Sequence, residues 1–155
     1  MIKWQPIFKE GKNKMGVTIE SKNYSIDMGC GGFNRLRVKV AGLTGKEIGE
    51  HYEELDKGMF LYGTQREDFF EKYNKKISEL EEKFKIPHGI LDFLYASDCE
   101  GKATPKKCKQ IYEVIKDYDD DILYGYCGKS DCAKFKDFKE IVKDCIDNKC
   151  SMKWS

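Results

Sequence analysis

The apolar residues of this sequence change their spacing once, and this change restricts the fold more than any other feature. From Val17 to Met28 they occupy alternate positions in two runs separated by Ser21-Lys22-Asn23. Alternation is typical of strands with one buried face, and the polar break predicts a β-hairpin. From Phe33 onward the spacing is that of amphipathic helices. The sequence therefore predicts an α+β fold, with a small amino-terminal antiparallel sheet packed against about five α-helices.

Local signals predict where the helices begin. Thr104-Pro105 is an N-cap followed by proline, and the Thr-x-x-Glu sequences at Thr44 and Thr64 are capping boxes, while Ser130 or Asp131 would cap the last helix. Ile7 and Phe8, after Pro6, would add an edge strand. The helical residues predicted to be buried are Phe33, Leu36, Val40, Ile48, Tyr52, Leu55, Phe69, Tyr73, Ile77, Leu80, Phe84, Ile90, Leu91, Phe93, Leu94, Tyr95, Cys108, Ile111, Ile115, Tyr118, Phe135, Phe138, Val142 and Cys145.

Length and composition bound the class of protein. A chain of 155 residues without an internal repeat or long linker predicts one domain spanning residues 1–155. No apolar run approaches the roughly 18 residues that a membrane span requires, so we expect no membrane association. The amino terminus lacks the pattern of a secretory signal, which predicts a cytoplasmic protein. Its seven cysteines are then expected to be thiols or metal ligands.

The net charge of +1 conceals an uneven distribution. Residues 1–46 contain nine lysines and arginines but three acidic residues, a net charge of +6, and the remainder therefore carries −5. A basic region attracts anions, whether nucleotides or acidic proteins. A nearly neutral chain is nevertheless unlike a dedicated duplex-DNA binder, so we expect no duplex nucleic acid as a partner.

The segment from Gly29 to Arg37 is the first candidate site. Glycines at a strand-to-helix junction expose N–H groups, the helix N-terminus favours anions, and arginine binds phosphate with two hydrogen bonds. Arg35 and Arg37 would lie about 200° apart on an ideal helix, which argues against one shared phosphate. The alternative is a tight turn with both arginines paired to acids. The predicted ligand-binding residues are Gly31, Gly32, Asn34, Arg35 and Arg37, with Tyr124 and Tyr126 stacking a base.

Acidic residues and cysteines form the second candidate site. Asp98 and Glu100 flank Cys99 before a glycine, where they could bind a divalent cation, or Asp98 could simply cap the turn. Cys99, Cys127 and Cys150 could bind zinc, with His88 as a further ligand, although their spacing lacks the close pairs of zinc ribbons. We therefore expect no cofactor as the simplest case and zinc as the alternative. Cys108, Cys132 and Cys145 are expected to be buried thiols.

Two short segments, Gly31-Gly32-Phe33-Asn34-Arg35-Leu36-Arg37 and Ser97-Asp98-Cys99-Glu100-Gly101 followed by Cys108, resemble motifs of small uncharacterised bacterial and phage proteins. The resemblance is a match of short motifs and covers about twenty positions. Glu100 stands where that group often has aspartate, and Lys102 where it often has glutamate. What the resemblance implies is a bacterial or phage cytosolic protein; it implies no ligand.

These features favour binding over catalysis. No nucleophile or metalloprotease motif is present, and the only histidines, His51 and His88, are expected at a helix surface or first turn. The leading hypothesis is a phage-encoded, non-enzymatic protein that binds, and thereby sequesters, a nucleotide-like anionic ligand of host defence. The alternatives are a module that inhibits a host enzyme by binding it and a metal-dependent hydrolase using Asp98 and Glu100. Homo-oligomerisation is left open.

Overall fold

A computed structural model describes residues 16–97, 100–118 and 133–155 and confirms the α+β class. Among these residues, no helix is long and apolar enough to cross a bilayer. The predicted strand at Ile7 and Phe8 lies outside them, as does the predicted cap at Ser130 or Asp131. The elements are β1 (Gly16–Glu20), β2 (Ser25–Gly29), α1 (Cys30–Thr44), α2 (Lys46–Glu53), α3 (Leu55–Gly58), α4 (Gly63–Phe84), α5 (His88–Tyr95), β3 (Gly101–Ala103), α6 (Pro105–Ile115), α7 (Phe135–Asp147) and β4 (Met152–Trp154).

In the described part of the chain the sheet has four antiparallel strands in the order β2-β1-β4-β3. The predicted hairpin is β1–β2, with Val17 opposite Met28. The spacing of the apolar residues predicts neither β3 nor β4. Both are only three residues long, and they pair with each other across about a third of the sequence, with Gly101 opposite Trp154. So short a strand carries no alternation signal, and its partner alone defines it.

The helix ends confirm one capping prediction and contradict two. The Thr104 hydroxyl accepts a hydrogen bond from Lys107 N, and Pro105 opens α6, as predicted. Thr44 instead ends α1, where its hydroxyl donates to the Val40 carbonyl at 2.8 Å, so α2 begins without a side-chain cap. Threonine within a helix often makes this bond to the preceding turn. Helix α4 begins at Gly63, one residue before the predicted cap at Thr64.

One hydrophobic core joins the inner face of the sheet to the helices. Its centre is aromatic: Phe33 of α1, Phe93 of α5 and Trp154 of β4 have ring centroids between 5.6 and 6.2 Å apart. The predicted apolar stripes of α5 and α7 are buried. In α4, Tyr73, Ile77 and Leu80 are buried as predicted, whereas Phe70 is buried in addition, Phe69 is only half-buried and Phe84 is exposed.

The β1–β2 turn is fastened to α7 by one buried carboxylate. Asp144 accepts hydrogen bonds from the Ser21 hydroxyl at 2.6 Å and from the backbone N–H of Asn23 at 2.8 Å. The side-chain amides of Asn23 and Asn148 donate to its other oxygen. These donors, the Ser21 hydroxyl first, lower the pKa of Asp144 below its usual range. The turn therefore has a fixed position relative to the last helix.

Candidate functional site

The first candidate site, from Gly29 to Arg37, begins with a glycine-rich segment. Strand β2 ends at Gly29 and α1 begins at Cys30, so the strand enters the helix directly, as predicted. Gly31 and Gly32 belong to the first turn of α1 instead of to a separate loop, and Gly32 is buried. Asn34 is exposed on the following turn. The exposed part of the candidate site therefore starts at Asn34.

Arg35 and Arg37 lie on opposite faces of α1, in agreement with their expected angular separation. Arg35 is exposed, whereas Arg37 is only 3% exposed. The guanidinium of Arg37 donates to the Ala96 carbonyl at 2.9 Å and to the Ser97 carbonyl at 3.1 Å, and it lies 4.4 Å from the centroid of the Phe33 ring. Arg37 therefore caps the carboxyl end of α5 from within the core, whereas Arg35 faces solvent.

Arg35 lines an open groove of about 510 Å³ between α1 and α2. Ligand sites typically have volumes of roughly 300 to 1,000 Å³, so the groove has the size of a small-molecule site. Helix α1 provides one wall and α2 the other. The residues along it are Arg35, Val38, Lys39, Gly42, Leu43, Lys46, Gly49, Glu50 and Glu53.

Two glycines determine how closely the walls of the groove approach each other. A Cβ atom added to Gly49 would lie 3.1 Å from the Cα of Gly42, so the backbones of α1 and α2 are in near contact at this point. A Cβ added to Gly42 would meet nothing within 4 Å, because it would point into the open groove. The backbones of Gly42 and Gly49 therefore form part of the groove lining, together with the longer side chains.

The charges of the groove are mixed. Arg35 and Lys39 are four residues apart on α1, and Lys46 begins α2, where Glu50 and Glu53 follow. The Lys39 ammonium also lies 4.5 Å from the centroid of the Tyr118 ring. The sequence interpretation missed Lys39, Lys46, Glu50 and Glu53, although the four-residue spacing of Arg35 with Lys39 and of Lys46 with Glu50 was visible. The groove can bind anionic groups and can also accept hydrogen bonds.

The opposite face of α2 contains a buried histidine, contrary to the expectation that His51 lies at a helix surface. Its Nε2 atom lies 3.1 Å from the Tyr73 carbonyl oxygen, and its Nδ1 atom lies 3.0 Å from the Tyr95 hydroxyl. Since the carbonyl can only accept, Nε2 carries the proton and Nδ1 accepts from Tyr95. Burial lowers the pKa of His51. The neutral imidazole is therefore fully used in structural hydrogen bonds.

The second candidate site is only partly described. Asp98, Cys99 and Cys127 lie outside the described residues, as do Cys132, Tyr124 and Tyr126. Glu100 is exposed just before β3, and Cys150 is half-buried after α7. The His88 ring lies between two carboxylates, with its Nδ1 atom 3.6 Å from Glu81 Oε2 and its Nε2 atom 3.3 Å from Asp92 Oδ1. In the ranges 16–97, 100–118 and 133–155, no three histidine, cysteine or acidic side chains are placed to hold a metal ion.

The two buried thiols of the described core contact each other. Cys108 of α6 and Cys145 of α7 are both inaccessible to solvent, as predicted. The contact between their sulfur atoms, together with burial, raises the pKa of the Cys145 thiol well above its usual range. A neutral thiol is a poor nucleophile and a poor metal ligand. Cys145 is therefore a packing residue.

Comparison with known proteins adds no function. No protein-family model, no curated protein and no solved structure matches the chain. The function must therefore be inferred from the chemistry of the α1–α2 groove and of the remaining surface. Of the predicted ligand residues that the structure describes, Asn34 and Arg35 are exposed on α1, while Arg37 is committed to the core.

Proposed function

We propose that this chain is a small, non-catalytic binding protein whose α1–α2 groove binds an anionic ligand of nucleotide size. The observation that carries this proposal is that Arg35, Lys39 and Lys46 all line one groove of about 510 Å³. Cationic side chains of this kind bind phosphate through charge-assisted hydrogen bonds. Arg35 would supply the bidentate contact, and the two lysines would act as point charges.

The two carboxylates of the groove restrict the class of ligand. Glu50 and Glu53 would repel a run of phosphates, which disfavours a polynucleotide. They would accept hydrogen bonds from hydroxyl groups, such as those of a ribose. The apolar Val38 and Leu43 side chains supply surface for a planar base. A linear or cyclic mononucleotide combines a phosphate, ribose hydroxyl groups and a planar base in one ligand.

The biological role that fits such a groove is sequestration. A protein that binds a signalling nucleotide without converting it lowers the free concentration of that nucleotide. The resemblance of the two short motifs supports a bacterial or phage origin, and a phage protein that sequesters a signalling nucleotide of its host would act against host defence. The metal-dependent hydrolase stays a prediction, since it depends on Asp98, which lies outside the described residues.

The test is calorimetric titration of the protein with a panel of linear and cyclic nucleotides and with inorganic phosphate. We expect at least one nucleotide to bind, and Arg35→Ala and Lys46→Ala each to weaken it about tenfold, the loss typical of a charge-assisted hydrogen bond. Lys72→Ala, an exposed lysine on α4, is the matched control and should leave the affinity unchanged. Failure of every nucleotide to bind, or equal binding by all three variants, would refute the proposal.

A second titration tests the role of the carboxylates. If Glu50 accepts a ribose hydroxyl, Glu50→Gln should reduce the preference for a ribonucleotide over its deoxy analogue. The same change removes a negative charge, so the affinity for inorganic phosphate should increase. An unchanged preference together with tighter phosphate binding would show that Glu50 acts only through its charge.

A further inference from the structure

The turn between α3 and α4 presents two aromatic side chains to solvent. It consists of Met59-Phe60-Leu61-Tyr62, in which Phe60 is 80% and Tyr62 is 85% exposed. These are the most exposed large hydrophobic side chains in the part of the chain that the structure describes; the next, Tyr24 and Phe84, are about half exposed. Neither Phe60 nor Tyr62 belongs to the core, so the fold does not account for an aromatic residue at either position.

The backbone of this turn is hydrogen-bonded to the end of α3, which packs against α4. Met59 N–H donates to the Asp56 carbonyl and Leu61 N–H to the Gly58 carbonyl, both at 3.3 Å. Gly58 is buried so closely against the Phe69 ring that a Cβ atom there would overlap it. The two aromatics therefore project from a fixed platform. An aromatic residue held this way loses little conformational entropy when it binds, which is typical of interface hot spots.

The surface around the turn is acidic. Within residues 53–68 there are five acidic and two basic side chains, a local net charge of −3 in a chain of net charge +1. The acidic side chains are all exposed, whereas Arg66 is half-buried with its guanidinium 5.6 Å from the centroid of the Phe70 ring. The acidic residues are Glu53, Glu54, Asp56, Glu67 and Asp68.

This charge distribution distinguishes between the kinds of surface that could bind the exposed aromatic pair. An anionic membrane surface would be repelled by five carboxylates. A symmetric contact with a second copy would place the two acidic rims against each other. A protein surface bearing lysine or arginine would be attracted and correctly oriented by the same carboxylates.

We infer that Phe60 and Tyr62 insert into an apolar pocket of a partner protein whose rim carries lysine or arginine side chains. Glu53 belongs both to the groove and to the acidic rim of this surface, whereas Phe60 and Tyr62 are not among the groove residues, and the proposal does not depend on nucleotide binding. Phe60 and Tyr62 supply the apolar contact, and the surrounding carboxylates supply the selection for a basic partner.

The experiment immobilises the full chain and exposes it to a lysate of the cells in which it occurs. The double variant Phe60→Ser/Tyr62→Ser and the control Tyr24→Ser are immobilised and treated in the same way. Every protein retained by wild type is then purified and titrated against all three. Because the three changed side chains are exposed, the variants should unfold at the temperature of wild type. We expect one purified partner to bind wild type and the control equally, and the double variant at least tenfold more weakly. Its association rate should fall with added salt and with Glu67→Gln/Asp68→Asn.

The other outcomes overturn the inference. Retention of no protein, or equal binding of a purified partner by the double variant, would show that the aromatic pair is not a docking surface. Sedimentation showing a dimer that Phe60→Ser/Tyr62→Ser abolishes would assign the surface to self-association. Sedimentation with phosphatidylglycerol vesicles that the same variant abolishes would assign it to a lipid surface.

Discussion

Basic residues occur on both the inner and the outer face of the α1–α2 pair, but they are buried on the inner face and line an open groove on the outer face. On the inner face, Arg37 and His51 are buried, and each donates a hydrogen bond to a backbone carbonyl contributed by another helix or its end. On the outer face, Arg35 and Lys46 line an open groove. Arginines only two residues apart thus serve stability in one case and, as we propose, binding in the other. The direction of the side chain from the helix axis determines which role each arginine has.

The inner groups also show why a buried polar residue need not indicate a site. A buried cation or imidazole must find partners that compensate for lost hydration. Arg37 finds two carbonyls and an aromatic ring, and His51 finds a carbonyl and a hydroxyl. Groups satisfied in this way have little remaining capacity for a ligand. The two faces should therefore differ as sharply in their contribution to the free energy of unfolding as they do in geometry.

The largest expected effect is that of Arg37→Ala. The change removes charge-assisted hydrogen bonds to Ala96 and Ser97 and the packing of the guanidinium on Phe33. We expect the free energy of unfolding to fall by about 3 kcal/mol, as is usual when buried carbonyls lose a charged donor. Arg35→Ala, on the outer face, should change it by less than about 0.5 kcal/mol. Urea unfolding of both variants measures the contrast, and equal losses would contradict it.

The next effect concerns His51 and pH. Since burial places the pKa of folded His51 below the ordinary value of 6.5, the unfolded chain takes up a proton first as pH falls. The stability present above pH 6.5 should therefore decline below it, by up to about 1.4 kcal/mol per pH unit, until the folded imidazole itself titrates. Urea unfolding at several pH values between about 7.5 and 5.5 measures this slope. His51→Gln should flatten it, and an identical slope in the variant would exclude His51 as its source.

A smaller effect should separate the two glycines of the groove. Gly49→Ala places a Cβ atom 3.1 Å from the Gly42 Cα, which forces α1 and α2 apart. The strain should outweigh the better helix propensity of alanine, for a net loss of about 1 kcal/mol. Gly42→Ala meets no atom within 4 Å and should be neutral or slightly stabilising. Thermal unfolding of both variants tests this difference, which would be absent if the helices were free to separate.

The smallest effect is expected for an exposed ion pair. Glu47 of α2 lies 3.3 Å from the ammonium of Lys83 in α4, and both side chains are largely exposed. Glu47→Gln should reduce the free energy of unfolding by less than about 0.5 kcal/mol, because solvent and salt screen such pairs. Glu79→Gln, an exposed glutamate of α4, is the control. A loss approaching that of Arg37→Ala would contradict the distinction between the two faces.

The fold was predictable where local signals agreed. The apolar stripes of α5 and α7 and the cap at Thr104 were confirmed, because periodicity and capping depend only on neighbouring residues. The capping box at Thr44 was wrong because a threonine hydroxyl has a competing acceptor in the preceding helical turn. Strands β3 and β4 could not be recognised, since their existence depends on a partner distant in sequence.

The candidate site was predictable in part. The predicted angular separation of Arg35 and Arg37 on α1 was confirmed, and ligand binding at Arg35 stays a prediction. The burial of Arg37 was missed, because arginine is rarely buried, although position 37 falls within the apolar stripe formed by Phe33, Leu36 and Val40. The groove itself requires the close approach of Gly42 and Gly49, which only the crossing of two helices reveals.

The strand order also limits how this protein can fold. Strand β4 lies between β1 and β3, and β3 has no other partner in the described sheet. The β1–β2 hairpin can form from local contacts, but the other half of the sheet must wait until residues 152–154 have closed a loop back to β1. Contacts so distant in sequence slow folding. Assembly of this sheet is therefore a late, cooperative event, and a chain interrupted before β4 would leave β3 unpaired.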